Sequence, residues 1–83
     1  MLISGRVQGV FFRDACRRAA STERVTGWVT NRRDGQVEAC FEGDAEAVAR
    51  LVAWCRQGPP GAHVTGVEVV DEAPRGGRGF VVR

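Results

Sequence analysis

The sequence has few of the side chains that bind metals or act as nucleophiles. It contains one histidine, His63, and three cysteines, Cys16, Cys40 and Cys55, in a chain of 83 residues. The histidine has no partner at metal-ligand spacing, and the cysteines are isolated, odd in number and surrounded by apolar neighbours. We therefore expect reduced thiols, no bound metal and no cofactor.

Long apolar runs are also missing. No segment approaches the roughly 20 consecutive apolar residues that are needed to span a bilayer. The N-terminus lacks the basic stretch, apolar segment and cleavage site of a secretory leader. These absences predict a cytoplasmic protein that has no membrane partner.

Lysine is absent, and all 12 basic side chains are arginine. We give this bias little functional weight, because the base composition of a genome can produce it. The net charge is +2, which is too small to indicate a polyanion such as DNA as the main partner. We expect no nucleic-acid partner.

The overall composition is that of a folded chain, because the apolar fraction is 43% and the charged fraction 27%. A chain of this length has room for one small hydrophobic core. We predict a single domain over residues 1–83 and expect it to be a monomer.

Hydrophobic periodicity predicts two helices and five strands. The first helix runs from Phe12 to about Thr22, where apolar residues recur at helical spacing. The second follows Asp44 as N-cap and ends at Gly58. Strands are predicted over residues 1–7, 25–31, 36–42, 63–72 and 80–83. The second and third alternate with period two around a turn at "RRDG", the first is an apolar segment cut off by glycine, and a loop at "PRGGRG" precedes the last.

This order predicts an α+β fold of the split β-α-β-β-α-β type with a short fifth strand. Two helices pack on one face of a mostly antiparallel sheet. In this arrangement the first two strands run parallel on either side of another strand, and a right-handed helical crossover joins them. The loop after the first strand and Asn31 at the end of the second should then meet at one rim of the sheet.

The loop after the first strand has the composition of an anion-binding site. Gly9 permits a tight turn, and the main-chain amides of residues 8–12 lead into the N-terminus of the first helix. Arg13 is placed where a bound anion could accept two hydrogen bonds from its guanidinium group. From these local features alone, a simple turn beside a solvated arginine remains the alternative interpretation.

Two motifs resemble those of the acylphosphatase family: "GRVQGVFFR" at residues 5–13 and "GWVTNRRDGQVEACFEG" at residues 27–43. Residues 47–64 also resemble the family's second-helix region. The resemblance implies a ferredoxin-like fold and metal-independent hydrolysis of acyl phosphates to a carboxylate and inorganic phosphate. It implies that Arg13 is catalytic and binds phosphate, and that Asn31 positions the attacking water. It also implies a phosphate-binding loop made of Gln8, Gly9, Val10, Phe11 and Phe12.

The side chains of the two motifs suit this reaction. An acyl phosphate releases a carboxylate whose conjugate acid has a pKa of about 4, so no proton donor is needed. Positioning and charge stabilisation remain, and arginine, backbone amides and asparagine can supply both. The sequence shows no obvious pocket for the acyl part of the substrate.

Three features depart from the family pattern. The first strand is short, and Glu23 and Arg24 stand where the family commonly has a leucine and a glycine. Because that glycine permits a left-handed exit from the helix, Arg24 predicts another termination or backbone strain. These departures concern stability more than activity.

Two other functions compete with hydrolysis. RNA-recognition modules share the β-α-β-β-α-β order, and "RGFVVR" at residues 78–83 superficially resembles their aromatic strand motif. That motif belongs on the third strand, which here reads "VEACF" and offers no evident pair of exposed aromatic residues. The other alternative is a catalytically silent phosphate-binding or regulatory module. Loss of Arg13 or Asn31 would favour it, and both are present.

Overall fold

The computed structural model describes residues 1–70 and 78–83, and its element order is the one that the sequence predicts. The elements are β1 (Leu2–Arg6), α1 (Phe12–Thr22), β2 (Thr26–Asn31), β3 (Val37–Glu42), α2 (Ala45–Gln57), β4 (His63–Glu68) and β5 (Phe80–Val82). The predicted α+β class and the appended fifth strand are confirmed. Among the described residues, no helix is long and apolar enough to cross a membrane.

The strands form one mixed sheet in the order β4-β1-β3-β2-β5. β3 pairs antiparallel with both β1 and β2, so β1 and β2 run parallel to each other on either side of it. β4 is antiparallel to β1, whereas β5 is parallel to β2. The carboxyl ends of β1 and β2 therefore lie at the same rim of the sheet, as the split β-α-β-β-α-β arrangement predicts.

The two helices bury apolar residues at a spacing of four against one face of the sheet. These residues are Phe12, Cys16 and Ala20 on α1, and Ala47, Leu51 and Cys55 on α2. Phe12 is 2% exposed, packs in the main core cluster and contacts the ring of Trp54, with 5.3 Å between ring centroids. Burial of such a side chain is worth about 1.5–3 kcal/mol, so Phe12 fixes the start of α1 against the sheet.

The short first strand pairs unevenly with its two neighbours. Two residue pairs register with β3 and five with β4, and the β1–β4 register shifts between Ser4 and Gly5. Gly5 has φ +119°, and a Cβ there would lie 2.1 Å from the carbonyl oxygen of His63, so only glycine fits. Met1 extends the pairing to β3, since its main-chain nitrogen donates to the carbonyl oxygen of Ala39 at 3.0 Å.

The fourth strand is shorter than the sequence predicts. The prediction covers residues 63–72, but β4 ends at Glu68, and Val69 and Val70 are exposed and outside the strand. The registered partner of Glu68 on β1 is Leu2, so pairing stops where β1 itself begins. Residues 71–72 of the predicted strand and residues 74–77 of the "PRGGRG" loop lie outside the described residues.

Asp44 lies at the predicted N-cap position of α2, but its side chain makes no capping hydrogen bond. Its carbonyl oxygen instead accepts the first helical hydrogen bond, from the N–H of Val48 at 2.9 Å. At the other end Gly58 has φ 73° and donates its N–H to the carbonyl oxygen of Trp54 at 2.7 Å. The predicted glycine termination is therefore present.

The end of α1 shows what Glu23 and Arg24 do in place of leucine and glycine. Arg24 has φ 58°, a left-handed conformation that is uncommon for a residue other than glycine. The backbone strain expected at Arg24 is therefore present. Glu23 accepts hydrogen bonds at 2.8 and 2.9 Å from Arg50 of α2, and the Arg50 guanidinium lowers the pKa of the Glu23 carboxyl. This ion pair joins the two helices.

The aromatic residues of β3 and β5 face the core. Phe41 and Phe80 stack with 5.7 Å between ring centroids and pack against the buried clusters. They do not form the exposed stacking platform that RNA-recognition modules present. These two aromatic residues therefore give the RNA-binding alternative no support.

Candidate functional site

The segment between β1 and α1 turns sharply at two residues that have positive φ. Gly9 has φ 76°, and a Cβ placed there would meet no atom within 4 Å, so its backbone angle rather than crowding favours glycine. Phe11 is the N-cap residue of α1, with φ 61° and ψ 28°. The chain passes directly from this left-handed residue into α1 at the buried Phe12.

The N-terminus of α1 presents unpaired main-chain donors. The first helical hydrogen bond to a residue before α1 is donated by Ala15 to the carbonyl oxygen of Phe11, at 3.1 Å. Within the described ranges, the N–H groups of Gly9 to Asp14 have no protein acceptor, and the Phe11 side chain makes no capping hydrogen bond. Such amides, at the positive end of a helix, can donate to an anion.

Gln8 holds this segment against the β2–β3 hairpin. Its side-chain Nε2 donates to the carbonyl oxygens of Arg32 at 2.7 Å and Gln36 at 3.1 Å. The Nε2 of Gln36 in turn donates to Oγ of Ser4 at 2.6 Å. The turn between β2 and β3 is thus connected by hydrogen bonds to the segment before α1.

Arg13 lies in the first turn of α1 and reaches toward β5. Its Nη1 donates to the main-chain carbonyl oxygen of Arg83 at 3.0 Å. The N–H of Arg83 donates to the carbonyl oxygen of Val29 on β2 at 2.9 Å, and its guanidinium carbon lies 4.5 Å from the centroid of the Trp28 ring. Arg83, which accepts the hydrogen bond from Arg13, is therefore held in place by contacts of both its main chain and its side chain.

Asn31 ends β2 at the rim where this segment lies. It alternates with the buried Val29, which places it on the side of the sheet that the helices cover. Within the part of the chain that the structure describes, the side-chain amide of Asn31 has no hydrogen-bond partner. The amide is therefore available to a water molecule or a ligand.

These residues line one cleft of about 560 Å³. Its lining residues are Val7, Gly9, Phe11, Phe12, Arg13, Asp14, Arg17, Asn31 and Val82. Of the site residues predicted from sequence, five therefore meet in one place. Gln8 and Val10 do not line the cleft, because Gln8 binds the hairpin and Val10 packs against the core.

Several lining or supporting residues were not predicted from the sequence. Asp14 and Arg17 follow Arg13 on the first turns of α1, which is a usable local signal. Val82 and the carbonyl group of Arg83 enter the site because β5 pairs in parallel with β2. The short apolar segment of residues 80–82 indicates a strand but does not specify the edge on which it pairs.

The charge at the cleft is predominantly positive. The Asp14 carboxylate lies 3.1 Å from Nη2 of Arg17 and 3.4 Å from Nε of Arg18, so its own charge is balanced. The guanidinium of Arg13 has no acidic side chain within ion-pair distance among the described residues. A dianionic ligand would therefore meet an uncompensated positive charge and several amide donors.

The cysteines and the histidine lie away from this cleft. Cys16 and Cys55 are buried, and a hydrogen bond with Cys16, together with burial, raises the pKa of the Cys55 thiol. No disulfide joins the three cysteines, and His63 is exposed on β4. Over residues 1–70 and 78–83, no group of three His, Cys, Asp or Glu side chains is arranged to hold a metal ion.

Comparison with known proteins connects this chain to one family. The family model described as Acylphosphatase matches residues 1–82. The acylphosphatase of Rubrobacter xylanophilus is 61% identical over 82 residues, which cover 98% of this chain and 74% of that protein. The acylphosphatase of Gloeobacter violaceus is 55% identical over 74 residues, which cover 89% of this chain and 80% of that protein.

A solved structure of the same family has a similar fold. The crystal structure of acylphosphatase from Bacillus subtilis aligns with a TM-score of 0.95 at 35% sequence identity. The alignment covers 99% of this chain and 92% of that one. The likeness confirms the ferredoxin-like fold.

Proposed function

Because the chain belongs to the acylphosphatase family, we propose that it hydrolyses acyl phosphates to a carboxylate and inorganic phosphate by direct attack of a positioned water. The observation that carries this proposal is the single cleft lined by Gly9, Arg13 and Asn31. This cleft brings together the guanidinium group of Arg13, unpaired main-chain amides and the unpaired side-chain amide of Asn31. These are the groups that phosphoryl transfer needs for positioning and charge stabilisation.

The phosphoryl group binds at the N-terminus of α1. The amides of residues 8–12 donate to its oxygens, and the guanidinium of Arg13 contributes the positive charge. The hydrogen bond from Nη1 of Arg13 to Arg83 leaves the other N–H groups of the guanidinium for the ligand. These donors stabilise charge on the equatorial oxygens as the bond to the leaving group lengthens.

Asn31 orients the attacking water. Its side-chain amide can accept a hydrogen bond from water through oxygen and donate one through nitrogen. The attack forms a bond from the water oxygen to phosphorus and breaks the bond from phosphorus to the acyl oxygen. The electron pair leaves with the carboxylate, and the water proton passes to solvent or to a phosphate oxygen.

The reaction requires neither a metal nor a general acid. The departing carboxylate is stable as an anion at neutral pH, since its conjugate acid has a pKa of about 4. An alkyl or aryl phosphate monoester expels a more basic oxygen and benefits from an acid or a metal ion. The proposed enzyme is therefore metal-independent and selective for acyl phosphates.

A paired assay tests this function. The protein is given acetyl phosphate and phenyl phosphate, each with and without a chelator, and phosphate release is measured above the spontaneous rate. We expect hydrolysis of acetyl phosphate alone, with the same rate in chelator. Equal or absent turnover of the two compounds would contradict the activity, and loss of turnover in chelator would contradict metal independence.

We further propose that the chain acts as a monomer. Sedimentation of the active protein at assay concentration tests this expectation. Activity that falls on dilution together with dissociation of a larger species would contradict it.

A further inference from the structure

Phe11 combines two properties that folding does not favour. Its side chain is 82% exposed, the highest value among the exposed large hydrophobic residues in the described part of the chain. Its backbone has φ 61°, which is a genuine exception for a bulky residue. A small or polar residue would occupy the same position with less strain and less apolar surface in water.

The aromatic ring of Phe11 has no structural role that would explain these properties. Phe11 belongs to neither hydrophobic core cluster, and neither of the aromatic ring contacts of the described residues includes it. Its side chain does not cap α1. Strained residues and exposed apolar groups are both typical of ligand-binding sites.

Phe11 and Val82 give the candidate cleft an apolar side. Both line it together with Arg13 and Asn31, and Val82 is 39% exposed. The cleft of about 560 Å³ is larger than a phosphoryl group alone requires. The apolar residues therefore provide room and surface for the part of the substrate that leaves as the carboxylate.

From this arrangement we propose that the side chains of Phe11 and Val82 form the subsite for the acyl group and select apolar, aromatic acyl phosphates. The inference rests on the proposed hydrolysis of acyl phosphates. An aromatic acyl group contacts the exposed ring of Phe11 and removes its apolar surface from water, whereas an acetyl group is too small to do so. Phe11 thus contributes its main-chain amide to phosphate binding and its side chain to substrate choice.

The test compares kcat/KM for benzoyl phosphate with kcat/KM for acetyl phosphate in several variants. We expect Phe11→Asn and Phe11→Gly each to reduce the preference for benzoyl phosphate about tenfold, the size of effect that apolar pockets give. Both substitutions tolerate the left-handed backbone, so they remove the ring without adding strain. Phe11→Leu should retain part of the preference.

Val82→Thr, which keeps the shape of the side chain but adds a hydroxyl group, should also lower the preference. Val81→Thr is the matched control, because Val81 is the preceding residue of β5, is 52% exposed and does not line this cleft. We expect the control to leave the preference unchanged. If the Phe11 variants slow both substrates equally, or if neither preference nor rate changes, the subsite is wrong.

A binding measurement separates this inference from the proposed function. Benzoylphosphonate and acetylphosphonate are titrated by calorimetry, since their phosphorus–carbon bond resists hydrolysis. Tighter binding of benzoylphosphonate that is lost in Phe11→Asn supports the acyl subsite, even if the protein hydrolyses neither acyl phosphate and the proposed function fails. Equal affinity of the two phosphonates for the wild-type protein would overturn the subsite.

Discussion

The guanidinium group of Arg13 donates a hydrogen bond to the main-chain carbonyl oxygen of Arg83, 3.0 Å away and 70 residues later in the chain. Arg83 is held by its own N–H bond to Val29 and by the packing of its side chain over Trp28. Trp28 is on the sheet face opposite Val29, because the two are consecutive residues of β2. The orientation of Arg13 therefore depends on contacts on both faces of the sheet.

Replacement of Trp28 by leucine should weaken phosphate binding about two- to fivefold, because a cation–π contact near the surface is worth about 0.5–1 kcal/mol. Loss of that contact frees the Arg83 side chain and loosens the acceptor of Arg13. Trp28→Phe should keep most of the affinity, since it retains an aromatic face. Calorimetric titration with inorganic phosphate measures the effect, and equal loss in both variants would show that the cation–π contact is irrelevant.

Arg13→Ala should lower kcat by about 10²–10³-fold, the cost of losing one group that stabilises transition-state charge. It should also weaken binding of inorganic phosphate. Arg13→Lys should not restore either value, because an ammonium group cannot bind two oxygens in a plane as guanidinium does. Arg56→Ala on α2 is a control for the loss of one positive charge. Unchanged phosphate affinity in Arg13→Ala would place the anion elsewhere.

Asn31→Ala should separate chemistry from binding. We expect kcat to fall far more than phosphate affinity, because the amide orients water and contributes little to binding the anion. Asn31→Asp should lower both values, since its charge lies close to the phosphoryl oxygens and repels them. Turnover and phosphate affinity are measured after each variant is shown to be folded. Near wild-type turnover in Asn31→Ala would mean that another group orients the water.

The ion pair between Glu23 and Arg50 should make stability depend on pH in a defined window. Arg50 lowers the pKa of Glu23 in the folded protein from its ordinary value of 4.5. The contribution of Glu23 to stability is therefore present above that value and is lost as the pH falls through the lowered pKa. Glu23→Gln should unfold at lower denaturant concentration than the wild type at pH 7, and this difference should disappear in strong acid.

A double-mutant cycle isolates the Glu23–Arg50 pair. Arg50→Gln should reproduce the effect of Glu23→Gln at pH 7, and the double variant should add little to either single change. Additive effects of the two substitutions would show that the carboxylate and the guanidinium act independently.

Arg24→Gly should stabilise the fold by about 0.5–1 kcal/mol, because relief of left-handed strain outweighs the extra freedom of glycine in the unfolded chain. Chemical denaturation followed by tryptophan fluorescence measures the free energy of unfolding. Arg33→Gly is the matched control, since Arg33 is an exposed arginine that does not have positive φ. Equal effects of the two substitutions would contradict a conformational origin.

The sequence predicts the fold and the meeting of the segment before α1 with Asn31 for a common reason. Apolar patterns and turn residues set the element order, and the parallel direction of β1 and β2 in that arrangement then decides which strand ends share a rim. The end of β4 was predicted too late because its apolar run continues past Glu68, whereas its pairing partner β1 does not. The apolar pattern of one strand does not show where the strand that pairs with it ends.

The part of the site contributed by β5 could not be predicted in the same way. Three consecutive apolar residues do not specify parallel pairing with β2, so the role of the Arg83 carbonyl group could not be predicted. The left-handed conformation and the exposure of Phe11 could not be predicted either. Aromatic residues rarely have positive φ, and local propensity gives no reason to expect an exposed ring at this position. The sequence consequently gave no indication of a surface for the acyl group.

The pairing of β5 with β2 also has a consequence for the order of folding. The hairpin of β2 and β3 closes over a few residues, whereas the contact of Arg13 with Arg83 closes a loop of 70. Contacts between distant parts of a chain require more loop-closure entropy and slow the search for the native state. The segment before α1 and Asn31 can therefore come together before Arg13 acquires its acceptor. Activity should then appear only when β5 docks on β2, after the β2–β3 hairpin has formed.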